Sequence, residues 1–237
     1  MFHTEFSRLL ELNNMADFTD ADTAEKFARL YDLLQETNAH TNLTAIRDLP
    51  GIVVSHFVDS LMLCAFIPQR ARILDVGCGG GFPSLPVAIT RGDLHITSLD
   101  STAKKLAFVA AVRDELGLNL DTLPGRAEVL AHASPYRESF NFVCARAVAE
   151  LDVLAEICLP FVRVGGIFAA MKSGSGHEEL AAARQKISLL GGKLLRVEEY
   201  VLRGLDEERA RTLILVEKVA ETPTKYPRSW AKIVAGK

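Results

Sequence analysis

From Pro68 onward, short β-branched or apolar runs alternate with longer stretches of helical period. That alternation restricts the chain to βαβ units, in which parallel strands are joined by crossover helices on the faces of one sheet. The runs fall at residues 72–76, 95–99, 119–123, 140–145 and 166–171, with helices predicted at 83–90, 102–116, 127–131 and 151–161. The end differs. Residues 193–202 and 211–219 are separated only by a short charged connection, which predicts an antiparallel hairpin closing one edge. The expected class is α/β, a mostly parallel seven-stranded sheet.

The first 67 residues read instead as a helical extension packed on that core. Phe27, Leu30, Tyr31 and Leu34 form an i, i+3, i+4, i+7 stripe. A polar stretch from Thr37 to Thr44 interrupts the pattern, and Asp48-Leu49-Pro50 opens a further helix, proline being suited to the first turn. Ile52, Val53, His56, Phe57, Ser60 and Leu63 are expected on one face of it. His56 and Asp59 stand at i, i+3, which reads as a buried histidine oriented by a carboxylate in preference to a catalytic pair. The expected organisation is one structural domain: extension 1–67, core 68–220 and basic tail 221–237. With 49% hydrophobic and 24% charged residues, the chain is neither disordered nor low in complexity. Cys64, Cys78, Cys144 and Cys158 form no C-x-x-C pair, so neither a zinc site nor a disulfide framework is predicted. No apolar run reaches the length of a membrane span and the start lacks a basic n-region, so a cytoplasmic protein is expected, and the short chain with its single-core pattern points to a monomer.

The sharpest chemical signal is Leu74-Asp75-Val76-Gly77-Cys78-Gly79-Gly80-Gly81-Phe82-Pro83, between the first strand and its helix. Glycines let the backbone turn tightly and approach a ligand without Cβ atoms in the way. Counting G-x-G-x-x-G from Gly77 puts Phe82 where a dinucleotide site needs its third glycine. The loop runs D-x-G-x-G-x-G instead, similar to motif I of the Rossmann-like S-adenosylmethionine methyltransferases. Asp100, closing the second strand, sits where an acid accepts ribose hydroxyls, a role compatible with capping the next helix alongside Ser101. Ala127 and Glu128, after the third strand, are placed for an adenine, although Glu128 equally suits a helix N-terminus.

Net charge is −3, from 27 basic and 30 acidic residues, which argues against a general nucleic-acid coat. The distribution is uneven. In residues 1–36 acids far outnumber Arg8, Lys26 and Arg29, whereas residues 222–237 carry Lys225, Arg228, Lys232 and Lys237 with no acid. Lys104, Arg126, Arg146 and Lys172 all fall at strand ends or first helical turns on the glycine-loop edge, followed by the loop Ser173-Gly174-Ser175-Gly176. Together they predict a positive ring suited to a phosphate-bearing substrate.

Several ordered segments resemble one family. Asn42-Leu43-Thr44-Ala45-Ile46, His56-Phe57-Val58-Asp59-Ser60-Leu61, the 75–86 loop, Leu99-Asp100-Ser101, Gly125-Arg126-Ala127-Glu128, Ala145-Arg146-Ala147-Val148-Ala149 and Lys225-Tyr226-Pro227-Arg228 are similar to the RsmG (GidB) family, bacterial 16S ribosomal RNA guanine-N7 methyltransferases. The resemblance implies a class I methyltransferase fold that converts S-adenosylmethionine to S-adenosylhomocysteine and acts on guanine 527, in the 530 loop of 16S RNA in the small subunit or its assembly intermediate. It implies cofactor contacts at Gly77, Phe82, Asp100, Ala127, Glu128 and Arg146; the glycine loop and second strand end add Gly79, Gly81, Ser101 and Thr102. Lys104, Arg126, Lys172, Lys225 and Arg228 are the RNA-binding candidates. Ser84 and the 229–232 segment depart from the family pattern. The residues alone leave open a small-molecule or protein methyltransferase, or a nucleotide-binding interaction protein without turnover.

Overall fold

The computed structural model describes residues 1–174 and 176–235; the expectations placed on Ser175 and Lys237 lie outside the described residues. The chain opens with α1 (Phe2–Leu12) and α2 (Ala21–Thr41). Then α3 (Leu49–Ile52) runs through a π-helical turn (Val53–Val58) into α4 (Asp59–Leu61). The alternating part is β1 (Arg72–Val76), α5 (Ser84–Thr90), β2 (His95–Asp100), α6 (Ala103–Leu116), β3 (Leu120–Pro124), α7 (Ala127–Leu130), β4 (Phe140–Arg146), α8 (Leu151–Cys158), β5 (Val162–Ser173) and α9 (Gly176–Leu189). It closes with β6 (Gly192–Leu202), β7 (Arg209–Lys218) and α10 (Trp230–Val234). The sheet order is β3-β2-β1-β4-β5-β7-β6. Strands β1 to β5 pair in parallel, while β7 is antiparallel to both β5 and β6. Strand order therefore reverses between β1 and β4, and ligands of such sheets settle outside the carboxyl ends at that point.

The period of two along each strand divides the core between the faces. Ile73, Ile96, Phe142 and Cys144 face the N-terminal helices, while Leu74, Leu99, Val143 and Ala145 face α8 and α9. Both faces are covered, as parallel strands require. On the N-terminal side Phe6, Phe27, Phe57 and Phe82 form a chain of rings with successive centroids 5.0, 4.9 and 6.1 Å apart. The helical extension is thereby tied to the glycine loop itself.

Three local expectations change. Helix α2 continues to Thr41 through the stretch predicted to interrupt it, because the buried Asn38 amide donates to the Thr44 carbonyl at 2.8 Å and accepts its N–H at 3.0 Å. Asparagine's cost in a helix is offset by these two bonds to the following loop. Gly176, expected in a loop, begins α9, whose Leu180, Ala183 and Ile187 bury against the sheet. His56 and Asp59 do not pair with each other. The π-helical turn ends between them, and the side chain of Arg146 bonds to each.

Candidate active site

The glycine loop leaves β1 and is pinned to the end of β2, where the N–H groups of Gly77 and Cys78 both donate to the Leu99 carbonyl, at 2.8 and 3.0 Å. Gly77, Gly79 and Gly81 have φ of +73°, +56° and +84°, so the alternate spacing of the motif is a repeated left-handed step. A Cβ at Gly77 would lie 2.7 Å from Val148. At Gly79 the nearest atom would be 4.0 Å away, so that position faces open space. Beneath the loop Asp75 is fully buried: its Oδ2 accepts the Ser84 N–H at 3.2 Å and its Oδ1 has no partner. Burial pushes this carboxyl up to about 7.

A cavity of about 280 Å³ opens at the strand ends. Of the expected cofactor residues, Gly77, Asp100, Ser101, Thr102, Ala127 and Glu128 line it. Asp100 accepts the Gly79 N–H at 3.0 Å and the Thr102 N–H at 2.8 Å, and each oxygen retains a lone pair for a ligand. Gly79 and Gly81 shape the turn without lining the cavity. Phe82 points elsewhere, stacked on His56 with centroids 4.5 Å apart. Arg126 is at the cavity; Lys104 is exposed, and its neighbour Lys105 forms the wall. Lys105, beside Lys104 in a first helical turn that disfavours cations, carries the same sequence signal; Val148 and Trp230 were missed as site residues. Trp230 stands in the 229–232 segment that departs from the family pattern, and its being the single tryptophan of the chain is the one signal that could have marked it.

A second cavity, of about 310 Å³, adjoins the first and shares Ala147 with it. Ala147 has φ +55°, a conformation costly for a residue with a Cβ, and such strain concentrates at functional sites. Arg146, Lys172, Arg209 and Arg211 line this cavity with His56 and Asp59. Arg146 donates to the Ser55 carbonyl at 2.7 Å, to Asp59 at 3.0 Å and to His56 Nδ1 at 3.1 Å. Because a guanidinium only donates, Nδ1 accepts and Nε2–H is left to donate to Thr44 Oγ1 at 2.8 Å. Burial and the nearby Arg146 charge push the imidazole down to about 3, so it stays neutral. Tyr200 donates its hydroxyl to Asp59 at 2.9 Å. Arg209, Arg211 and Tyr200 lie on the C-terminal hairpin, which the sequence marked only as a sheet edge.

The cations of the expected ring (Lys104, Arg126, Arg146 and Lys172) and of the tail (Lys225 and Arg228) divide into two groups. Lys104, Arg126 and Lys225 are exposed and make no ion pair among the described residues. Lys172 instead pairs with Glu179 at 2.7 Å and donates to the Ala149 carbonyl. Arg228 is bound to Glu156, which is fully buried, through Nε at 2.7 Å and Nη2 at 2.6 Å. Arg146 belongs to the second cavity and not to the first, whereas a cofactor contact had been expected of it. Tertiary pairing has directed these three cations inward.

Comparison with known proteins gives the site a context. A family model described as GidB, rRNA small subunit methyltransferase G, matches residues 23–208. The ribosomal RNA small subunit methyltransferase G of Deinococcus deserti is 44% identical over 211 residues, spanning 88% of this chain and 86% of that protein. Its namesake in Geobacillus sp. strain WCH70 is 40% identical over 227 residues, with 94% of each chain covered. Among solved structures, a SAM-dependent methyltransferase from Methanosarcina mazei aligns with TM-score 0.51 at 15% identity, over 68% of this chain and 98% of that one. A branched-chain polyamine synthase from Thermus thermophilus aligns with TM-score 0.58 at 12% identity, over 82% and 64%. These structural likenesses speak to the fold alone.

Proposed function

The chain belongs to the GidB family of rRNA small subunit methyltransferases G, and from that premise we propose that it transfers a methyl group from S-adenosylmethionine to N7 of a guanine in 16S ribosomal RNA, guanine 527 of the 530 loop. The observation that carries the reading is the junction at Ala147. A cavity with the donor set for a nucleoside meets a cation-lined cavity suited to an RNA nucleotide. The first fits S-adenosylmethionine on its own chemistry: the Cβ-free backbone of Gly77 at its wall, the Asp100 carboxylate for ribose hydroxyls, and Ala127 and Glu128 for the base. When bound there, S-adenosylmethionine supplies an electrophilic methyl on sulfur.

What remains for the protein is alignment, and positioning of this kind lowers a barrier by about 7–11 kcal/mol in favourable cases. Guanine N7 presents an in-plane lone pair and no proton, so the acceptor needs no general base. The residues of the second cavity agree with that requirement. His56 is held neutral with both ring nitrogens engaged, and Asp59 is occupied by Arg146 and Tyr200. Cys144 is buried in the sheet, where desolvation pushes its thiol well above the ordinary range, so it is not a nucleophile. The Asn/Asp-Pro-Pro-aromatic motif of exocyclic amine methylation is absent after β4, where Cys144-Ala145-Arg146-Ala147 stands. Arg146 orients the acceptor wall, while exposed Lys104, Arg126 and Lys225 meet RNA phosphates. The substrate is the small ribosomal subunit or its assembly intermediate, in the cytoplasm.

The test incubates the protein with methyl-labelled S-adenosylmethionine and naked 16S RNA, 30S particles or 50S particles, followed by digestion to nucleosides. Label is expected as 7-methylguanosine from a small-subunit substrate. Its absence from every small-subunit sample overturns the reading, and label in another nucleoside overturns the N7 assignment.

A further inference from the structure

The C-terminal segment is built into the molecule in a way that its basic composition does not announce. Arg137 donates to the carbonyls of Thr222 and Tyr226 at 2.7 and 2.9 Å, and His132 Nε2 donates to the Pro227 carbonyl at 2.7 Å. Arg228 then closes on Glu156 of α8 through its backbone N–H as well as its guanidinium. Two residues later α10 begins, and Ile233 is buried in the core against α8. Held by these bonds, by the fully buried Glu156 and by buried Ile233, the segment is a fixed strap.

What the strap presents is Trp230. The indole lines the same cavity as Asp100 and Glu128, yet keeps 38% of its surface uncovered. Val148, at the same cavity, is 37% exposed. Two large apolar side chains left open at the mouth of a polar cavity offer a flat ring the contact that they lack in the protein. Residues 222–235 also lie beyond the 23–208 span matched by the family model.

We propose that Trp230, carried on a strap locked to α8 by Arg228 and Glu156, is the aromatic face on which the adenine of the bound cofactor stacks. This rests on the reading that the cavity takes S-adenosylmethionine. Trp230 is a binding residue, and Arg228 and Glu156 are positioning residues that act through it. Rigid anchoring matters because a face already in place costs little conformational entropy on binding.

The chain reports on itself, since Trp230 is its single tryptophan. The full chain is titrated with S-adenosylhomocysteine while tryptophan emission is followed, and binding is measured in parallel by calorimetry. Emission should change saturably with the calorimetric midpoint; adenosine should reproduce the change and methionine should not. Trp230→Ala should weaken S-adenosylhomocysteine about ten-fold or more, as loss of an aromatic stacking face does, whereas Trp230→Phe should retain most of the affinity. Circular dichroism should show both variants folded. Calorimetric binding with unchanged emission, or undiminished affinity in Trp230→Ala, overturns the assignment of Trp230 and leaves the cofactor reading intact. Absence of binding to the parent chain overturns both.

Discussion

Arg146, at the end of β4, donates to the carboxylate of Asp59 on α4 across 3.0 Å, with side-chain exposures of 15% and 4%. The contact joins the carboxyl edge of the sheet to the N-terminal helices. Asp59 also receives the Tyr200 hydroxyl and faces Arg211 at 3.5 Å, so one carboxylate answers two guanidiniums. Removing one partner from a buried pair strands the other charge away from water, at a cost of about 3–5 kcal/mol. Asp59→Ala should therefore lower unfolding free energy in urea by that amount. Tyr200→Phe, which deletes a hydrogen bond to a charged group, should cost about 1.5–3 kcal/mol. An Asp59→Ala variant within about 0.5 kcal/mol of the parent, the ordinary range of a surface change, would refute the tie.

Two buried groups should give opposite pH dependences. His56 is pushed down to about 3 in the folded chain, whereas an unfolded histidine titrates near pH 6.5. Between those values the unfolded state binds more protons, so this group makes stability rise with pH by up to ~1.4 kcal/mol per unit. Asp75 is pushed up to about 7 from its ordinary 3.8, so across that window the folded state binds more protons and stability falls as pH rises. His56→Gln should lose the rising contribution, and Asp75→Asn should gain on the parent between pH 4 and pH 7. Urea midpoints at a series of pH values read both. A stability difference from the parent that is independent of pH, for either variant, counts against the corresponding burial argument.

The part of the candidate site built from strand ends is legible in the sequence. Asp100 and Glu128 are placed by the alternation of strands and helices together with the glycine spacing, because a parallel sheet delivers every strand's carboxyl end to one edge. What escaped depends on contacts between distant segments. Arg146 finds Asp59 and His56 on the helical extension, and Lys172 finds Glu179 on α9, a helix that the flanking Gly174-Ser175-Gly176 obscured. No local pattern reports such pairing, so cations expected to face RNA proved to face carboxylates. Trp230 escaped for a similar reason: it reaches the cavity through a strap whose anchors, His132 and Arg137, stand about ninety residues earlier. Arg209 and Arg211 alternate with Ala210 and Thr212 on a strand whose local pattern marks only a sheet edge.

Asp100 is the acid proposed to hold the ribose hydroxyls of the cofactor. Its two oxygens hold the Gly79 and Thr102 N–H groups, so the carboxylate both fixes the loop and faces the cavity. Asp100→Ala removes charge-assisted bonds worth about 1.5–3 kcal/mol each. S-adenosylhomocysteine affinity, measured by calorimetry, should fall about ten-fold or more. Asp100→Asn should fall between variant and parent, since its carbonyl oxygen still accepts while its amide nitrogen cannot. Full affinity in Asp100→Ala would mean that the ribose hydroxyls are held elsewhere.

The cations divide into those free to meet phosphate and those already paired, and salt dependence separates the two. Removing one cation that neutralises a phosphate should lower the slope of log K against log salt by about 0.7–0.9. Lys104→Ala and Arg126→Ala, at exposed positions without an ion pair among the described residues, should each reduce the slope for 16S RNA binding by about that amount. Lys172→Ala and Arg228→Ala should leave the slope unchanged and lower thermal stability instead, because Glu179 and the fully buried Glu156 are each deprived of a cationic partner. A net charge of −3 supplies no bulk attraction for RNA, so a small number of placed cations should govern the slope. If Lys172→Ala reduces the slope as much as Lys104→Ala does, the pair with Glu179 opens on the RNA and Lys172 belongs with the phosphate-binding set.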